Sequence, residues 1–265
     1  MSGGTAGGTG GKGRWADLAP RAASALVMIL VAGFAVWAGG MVFAAMVAAL
    51  AGGMVWELVR MLDQGRGTSA LLLGGLCFAA VLAAALLPPI WALPILAAPA
   101  LAGAGQLSRN RGYFIGFTLW VMFAAFGFIW LRNVLGAPWM LWLIGLVVAT
   151  DVAGYFAGKT FGGPKLWPRV SPKKTWSGAS AGWLAAALTG AGFAAAAGLG
   201  IGIVALSVLL SMASQAGDIA ESALKRKMGV KDSSALIPGH GGLLDRFDGM
   251  LGAAAMFLAA LPFLG

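Results

Sequence analysis

The feature that most constrains this chain is a succession of apolar runs, each close to the length that crosses a bilayer, with almost every charge confined to the segments between them. A spanning helix needs roughly 20 mostly apolar residues. In hydrocarbon there is no water to bond an open backbone, so such a run folds with its backbone hydrogen bonds internal. Runs of this kind place spans at approximately 22–39, 41–59, 70–87, 89–106, 113–131, 139–158, 179–197, 199–217 and 249–264. Only 18 Lys and Arg and 9 Asp and Glu occur among 265 residues, and mean hydropathy is +0.87. That balance excludes a water-soluble domain for most of the chain. The expected fold class is all-α: a polytopic integral membrane protein of about nine transmembrane helices, with a polar active-site cavity at the cytoplasmic side.

Orientation follows from the basic residues, which gather on the cytoplasmic side of membrane proteins. With the N-terminus cytoplasmic, the inner segments hold Lys12, Arg14 and Arg21, then Arg60 and Arg66, then Arg109 and Arg111. They also hold Lys159, Lys165, Arg169, Lys173 and Lys174, and finally Lys225, Arg226, Lys227, Lys231 and Arg246, leaving only Arg132 outside. Miscounting a span in the middle would scramble this segregation. The basic character, with a pI near 10.3, therefore reads as a membrane-orientation signal and not as a nucleic-acid one. Three regions are expected: a flexible Gly-rich cytoplasmic tail over 1–20, N-terminal transmembrane helices over 21–135, and a C-terminal transmembrane catalytic region over 136–265. No cleavage of a signal peptide is expected, because the first apolar run is long and no clean small-residue site follows it.

Smaller features read as structural. Cys77, the single cysteine, has no internal disulfide partner and is expected to be a small buried side chain. Gly178 with Gly182, and Gly198 with Gly202, put small residues four apart and favour close helix approach. Trp139, Trp142, Trp167 and Trp176 fit interfacial anchors. Ala153 to Thr160, AGYFAGKT, nearly spells a phosphate loop, but its first glycine is alanine and it ends a membrane helix where that motif needs a preceding strand.

The chemistry gathers in the C-terminal half. Asp151 sits near the end of the sixth span, where an ionisable group costs about 2.5 to 3.5 kcal/mol and needs a reason. It is either half of a packing ion pair or a carboxylate lining a polar site. Lys159 and Lys165 flank the glycines that follow it. Ser171-Pro172-Lys173-Lys174-Thr175 forms a compact basic turn, in which two lysines and two hydroxyls suit an anionic head group. Asp218 and Glu221 lie three apart on one helix face, and Asp245 and Asp248 repeat that spacing ahead of the last span. Carboxylates at two helix ends suit Mg²⁺, usually with substrate phosphates completing its shell. Between them stand Lys225, Arg226, Lys231 and Arg246, while Gly241 and Gly242 free the backbone to approach a ligand. His240 offers either a proton shuttle or a residue that fixes the Pro-Gly-His-Gly-Gly turn. Acids for a metal and bases for phosphate in one loop are the inventory of phosphoryl or nucleotidyl transfer.

Ser222-x-Leu224-Lys225-Arg226, then Lys231-Asp232-x-Ser234, then Ile237-Pro238-x-His240-Gly241-Gly242-Leu243-x-Asp245-Arg246-Phe247-Asp248 resembles the full signature of the phosphatidate cytidylyltransferases, or CDP-diacylglycerol synthases. The segments Asp151 to Gly162, Ser171 to Thr175 and Gly217 to Ser222 resemble further motifs of that family. Trp176-Ser177-Gly178 departs from it, since many members carry an acid before the glycine. The resemblance implies transfer of the cytidylyl group of CTP to phosphatidate, with Mg²⁺ at one or two metal sites, at the cytoplasmic face of a bacterial inner membrane. It implies membrane lipids and, as a further expectation, a second copy in a homodimer as partners, and no nucleic acid. Carried over residue by residue, it makes Asp218, Asp245, Lys225, Arg226, Lys231, Arg246 and His240 catalytic. Asp218 and Asp245, with Glu221 and Asp248, bind metal. Ser171, Lys173, Lys174, Thr175, Asp151, Lys159, Gly241 and Gly242 bind substrate.

Two rivals come from other classes. A transporter would distribute charges through several spans near the midplane, often with inverted repeats, whereas the charges here favour one face. A CDP-alcohol phosphotransferase would carry a D-G-x-x-A-R motif, whereas Asp248-Gly249 continues Met250-Leu251.

Overall fold

A computed structural model describes residues 12–263. Residues 1–11 of the expected tail lie outside the described residues, and helix begins at Lys12, ahead of the apolar run. Among the described residues the chain forms nine α-helices: α1 (Lys12–Ala38), α2 (Gly40–Leu62), α3 (Gly67–Leu86), α4 (Ala92–Gln106), α5 (Arg111–Trp130), α6 (Ala137–Thr160), α7 (Trp176–Ala197), α8 (Gly202–Met228) and α9 (Leu244–Ala260). A 3-10 turn over Pro89–Trp91 leads into α4, and a π-helical turn over Leu131–Leu135 extends α5. Each expected span coincides with one of these helices. By length and composition α2, α3, α5 with its π turn, α6, α7 and α8 are able to cross a membrane, so the chain is a helical integral membrane protein. The helix α4 has 15 residues with Pro99 inside it, and α9 has 17. The apolar part of α1 is Ala22–Ala38.

The all-α expectation holds, with one small β element that the sequence reading did not place. Between α6 and α7 lies an antiparallel hairpin of β1 (Lys165–Trp167) and β2 (Ser171–Thr175), with Lys165 opposite Thr175 and Trp167 opposite Ser171. The basic Ser171–Thr175 segment is thus a strand and not a turn. Pro172 disfavours helix at Ser171 and keeps the chain extended, and with only two strands its missing N–H falls on an edge. Strand β2 runs directly into α7, where Thr175 is the N-cap and its hydroxyl accepts from the Gly178 N–H at 3.1 Å.

Helices meet through glycine. On α2 and α3, a Cβ at Gly52 or Gly74 would come within 2.7 Å of the other's carbonyl oxygen. At Gly154 of α6 and Gly178 of α7 the corresponding distances are 3.2 and 2.6 Å. Backbones this close gain dispersion that lipid does not match. Gly182 likewise faces Thr150 of α6 and Gln215 of α8. The other small-residue pair behaves differently: nothing lies within 4 Å of a Cβ at Gly198 or Gly202, and Gly198 instead ends α7 in the left-handed region at φ 67°.

The interior is filled by Phe43, Leu58, Phe114, Met122 and Phe257, with Cys77 buried as expected. Trp142 is also buried, stacked on Phe193 at 5.4 Å between centroids and edge-on to Trp139. It is a core residue and not an interfacial anchor, because α7 and α9 cover the face of α6 that carries it. Trp167 and Trp176 are about half exposed.

The two ends of the bundle differ in charge. At one end the Asn110 amide donates to Leu62 O at 3.4 Å and Lys227 Nζ donates to the Tyr113 hydroxyl at 2.6 Å, joining α2, α5 and α8. At the opposite end Arg132 donates to the carbonyls of Val36 and Trp37, two of those that α1 leaves open at its C-terminus. The single basic residue left outside by the charge pattern therefore has a structural task.

Candidate active site

Two acid–base clusters form where α8, α9 and the β-hairpin converge. In the first, Glu221 and Lys225 stand one turn apart on α8, and Lys225 Nζ lies 2.5 Å from Glu221 Oε2 and 2.6 Å from Asp245 Oδ1. The other oxygen of Asp245 accepts from the Ser233 N–H at 2.8 Å, the Ser233 hydroxyl at 2.9 Å and the Gly242 N–H at 2.8 Å. Asp245 lies in the first turn of α9, ahead of the apolar run. Burial works against its charge, yet Lys225 and the two backbone N–H groups outweigh that and hold its carboxyl below the ordinary carboxylate value. Gly241 makes this possible with φ 85°, and a Cβ there would stand 2.8 Å from Asp245 Oδ2.

Behind this cluster lies Glu57 of α2, which the sequence reading passed over. It is fully buried, and its carboxylate accepts from the Ser234 hydroxyl at 2.6 Å, the Leu243 N–H at 2.8 Å, the Leu244 N–H at 2.9 Å and the Ser233 hydroxyl at 3.2 Å. It satisfies open donors at the start of α9. A signal was present: a lone acid inside an apolar span needs a partner, the reasoning applied to Asp151 but not to Glu57. A cavity of about 640 Å³ opens beside it between α2 and the 230–236 segment, with Arg60 4.9 Å above the Trp56 ring on its wall.

The second cluster is open. Lys174 on β2 reaches Asp218 on α8, with Nζ 2.6 Å from Oδ2, and the Ser222 hydroxyl lies 3.3 Å from the other oxygen of Asp218. Asp151 on α6 and Asp248 on α9 both lie within electrostatic range of Asp218 and Lys174. A cavity of about 450 Å³ is lined by Asp151, Lys159, Lys173, Lys174, Gln215 and Asp218. An apolar groove of about 250 Å³ runs between α1, α2, α5, α6 and α9, past Val36, Phe43, Phe128 and Met250, with Asp151 and Arg246 among its lining residues. Asp151 belongs to both spaces.

The remaining expected residues fall into two groups. Lys159 sits 5.7 Å over the Tyr155 ring, in the last turn of α6, where the near phosphate-loop sequence is helical. The Thr175 hydroxyl is engaged by the α7 cap and by Ser177 Oγ at 3.0 Å. His240 Nδ1 lies 2.9 Å from the Ser24 hydroxyl of α1, and its carbonyl accepts from Arg246 Nε at 2.8 Å, which ties the turn to α1 and α9. Gly242 packs against Glu57, where a Cβ would stand 2.5 Å from Oε1. The side chains of Ser171, Lys173, Arg226 and Lys231 make no hydrogen bond or ion pair with the described residues, leaving three cations without a counter-ion.

Among the described residues no three acidic, His or Cys side chains converge to hold a metal by themselves. Carboxylates do gather around cations, at Lys225 with Glu221 and Asp245 and at Lys174 with Asp218. A site that already holds an ammonium group against carboxylate oxygens, as at Lys225, offers the donor chemistry of a hard divalent ion whose shell substrate oxygens complete. The residues fit such an ion as a partial set.

Comparisons with known proteins show the family. The model of the cytidylyltransferase family matches residues 19–264. The chain is 47% identical over 157 residues to the phosphatidate cytidylyltransferase of Brucella melitensis, covering 57% of each chain. It is 41% identical over 142 residues to that of Bacillus subtilis, covering 52% of this chain and 50% of the relative. It is 38% identical over 151 residues to that of Mycobacterium tuberculosis, covering 55% and 45%. The matched stretch thus spans about half the length of these curated relatives. A family match over nearly the whole chain, on a helical membrane fold with acids and bases gathered at one site, places this chain in the cytidylyltransferase family.

Proposed function

We propose that this protein is a CTP:phosphatidate cytidylyltransferase, which forms CDP-diacylglycerol and pyrophosphate for phospholipid synthesis. The observation that carries this reading is the meeting, at Asp151, of a lysine-lined polar cavity with an apolar groove between helices. A water-soluble triphosphate and a two-tailed lipid phosphate need adjoining spaces of these two kinds.

In the reaction a phosphatidate oxygen attacks the α-phosphorus of CTP, the new P–O bond forms, the bond to the β-phosphate bridging oxygen breaks, and pyrophosphate leaves. The lipid phosphate is already anionic, so neither an enzyme nucleophile nor a general base is required. The protein's work is positioning and charge neutralisation. Lys159, Lys173 and Lys174 of the polar cavity receive the triphosphate. Arg246, at the groove and held by the His240 carbonyl, meets the phosphatidate head group. Lys225, Arg226 and Lys231 supply positive charge along the signature segment. Asp218 and Asp245, with Glu221 and Asp248 beside them, would hold a divalent ion such as Mg²⁺ at one or two sites. When bound, that ion withdraws charge from phosphate oxygens. Thr175 lines the hairpin end of the cavity, Ser171 starts the same strand, and Gly241 and Gly242 let the backbone approach.

The same reading completes the topology: nine spans, a cytoplasmic N-terminus and a site at the cytoplasmic face of a bacterial inner membrane, in a protein able to pair with a second copy. The charged bundle end near Asn110 and Lys227 and the lone Arg132 at the other end support it. Purified protein supplied with CTP, phosphatidate and Mg²⁺ should form CDP-diacylglycerol and pyrophosphate in equal amounts. Absence of the lipid product in a folded, lipid-supplemented preparation would overturn the reading.

A further inference from the structure

We propose that Glu57 is a positioning residue for this reaction: from α2 it holds the segment that presents donors to Asp245, and so presets the Lys225–Asp245 pair before substrate arrives. The inference rests on the cytidylyl-transfer reading and deepens it. It also gives the N-terminal helices, which carry none of the signature, a part in the site.

All four partners of Glu57 are donors: the hydroxyls of Ser233 and Ser234 and the N–H groups of Leu243 and Leu244. The position therefore demands a group that only accepts, and a carboxylate is the side chain that meets four donors at once. Those partners bracket the donors of Asp245. Ser233 gives Asp245 its N–H, and Gly242, which lies between the Ser234 and Leu243 anchors, gives a second. Ser233 Oγ lies 3.2 Å from Glu57 and 2.9 Å from Asp245, so the one hydroxyl proton is shared between the two carboxylates, with the shorter contact to Asp245. Packing enforces the arrangement, because the absence of a side chain at Gly242 lets the segment lie directly on Glu57. Loss of Glu57 would release both sides of the segment, and the donors of Asp245 would move with them. Displacement of about 1 Å in such a constellation costs roughly 100-fold in rate.

The test compares kcat per folded molecule in detergent. Glu57→Gln keeps the shape but turns an amide NH₂ toward donors, and the proposal expects kcat to fall about 100-fold with KM for CTP little changed. A residue that only anchored α2 to α9 would lower the melting temperature and the yield while folded enzyme kept its wild-type kcat, and that result would overturn the proposal. Should Glu57→Gln fail to fold, two milder variants decide. Ser233→Ala cuts the bridge to Asp245 and should lower kcat about tenfold, whereas Ser234→Ala removes bonds to Glu57 and from the Leu236 N–H without touching Asp245 and should leave kcat within about twofold. Equal kcat in the two would refute it. Amide hydrogen exchange separates this inference from the functional reading. In Glu57→Gln, or in Glu57→Asp if Gln does not fold, exchange at the Ser233 and Gly242 N–H groups, which bond Asp245 and not Glu57, should accelerate. Unchanged exchange there would overturn the positioning role, even if the wild-type protein transferred no cytidylyl group.

Discussion

The two acid–base clusters differ in how far the protein alone satisfies them. Both oxygens of Asp245 have partners, Lys225 on one and Ser233 and Gly242 on the other, with Glu57 locking the same segment from behind, while its buried neighbour Glu221 pairs with Lys225 through Oε2 and leaves Oε1 without a partner among the described residues. Around Asp218, among the described residues, a single ion pair with Lys174 stands in an open cavity beside Asp151 and Asp248, and Lys173 has no partner. The first cluster is buried and, at Asp245, preorganised. The second leaves charge for something that is not protein. A transfer enzyme needs both, because electrostatic stabilisation is effective only when its dipoles are fixed beforehand, and substrate is attracted only by charge that remains unpaired.

The largest effect should come from the buried cluster. Asp245→Asn weakens the pairing with Lys225 and puts an amide against donors, so turnover should drop by about 1,000-fold or more while the protein stays inserted and folded. Wild-type-like rates in detergent with saturating Mg²⁺ would erase the distinction between the clusters. Lys174→Ala and Lys173→Ala address the open one. Each should raise KM for an anionic substrate about tenfold with a smaller change in kcat. An unchanged response to both CTP and phosphatidate would assign the hairpin a purely structural role.

Smaller effects separate support from chemistry. Thr175→Ala removes the α7 cap and should cost about 1 kcal/mol of stability, read as a lower melting temperature. Because Asp245 is held below the ordinary carboxylate value, its contribution to folding is complete above about pH 4 and is lost as pH falls through its native value. The melting-temperature difference between wild type and Asp245→Asn should therefore be flat near neutrality and shrink in acid. A difference that persisted unchanged at low pH would mean that Asp245 is not ionised in the native protein.

The helices were legible because lipid leaves the backbone few alternatives, so each apolar run from Ala22 onward corresponds to a helix. The signature segment was legible because its charges and glycines interrupt that pattern. What escaped has a common physical cause, namely dependence on distant partners. Lys165–Trp167 and Ser171–Thr175 are too short and too polar to announce strands, and become strands only through each other. Trp142 is apolar enough for an interface or a core, and the choice is made by Phe193 and Phe257. Gly198 and Gly202 had the spacing of a contact but no helix opposite them. Glu57 finds its partners at Ser233 and Leu244, far along the chain, and no local pattern marks such a pairing. Asp245 was read from its spacing as a metal ligand, and the fold engages both of its oxygens with Lys225, Ser233 and Gly242.

The central claim is that the open cluster takes CTP and the groove takes phosphatidate. It is tested most directly by pyrophosphate release from CTP by the purified protein, with phosphatidate and Mg²⁺ each present or withheld. The account predicts release only when CTP, phosphatidate and Mg²⁺ are all present. Release without phosphatidate, or none with all three in a folded and lipid-supplied preparation, would contradict it.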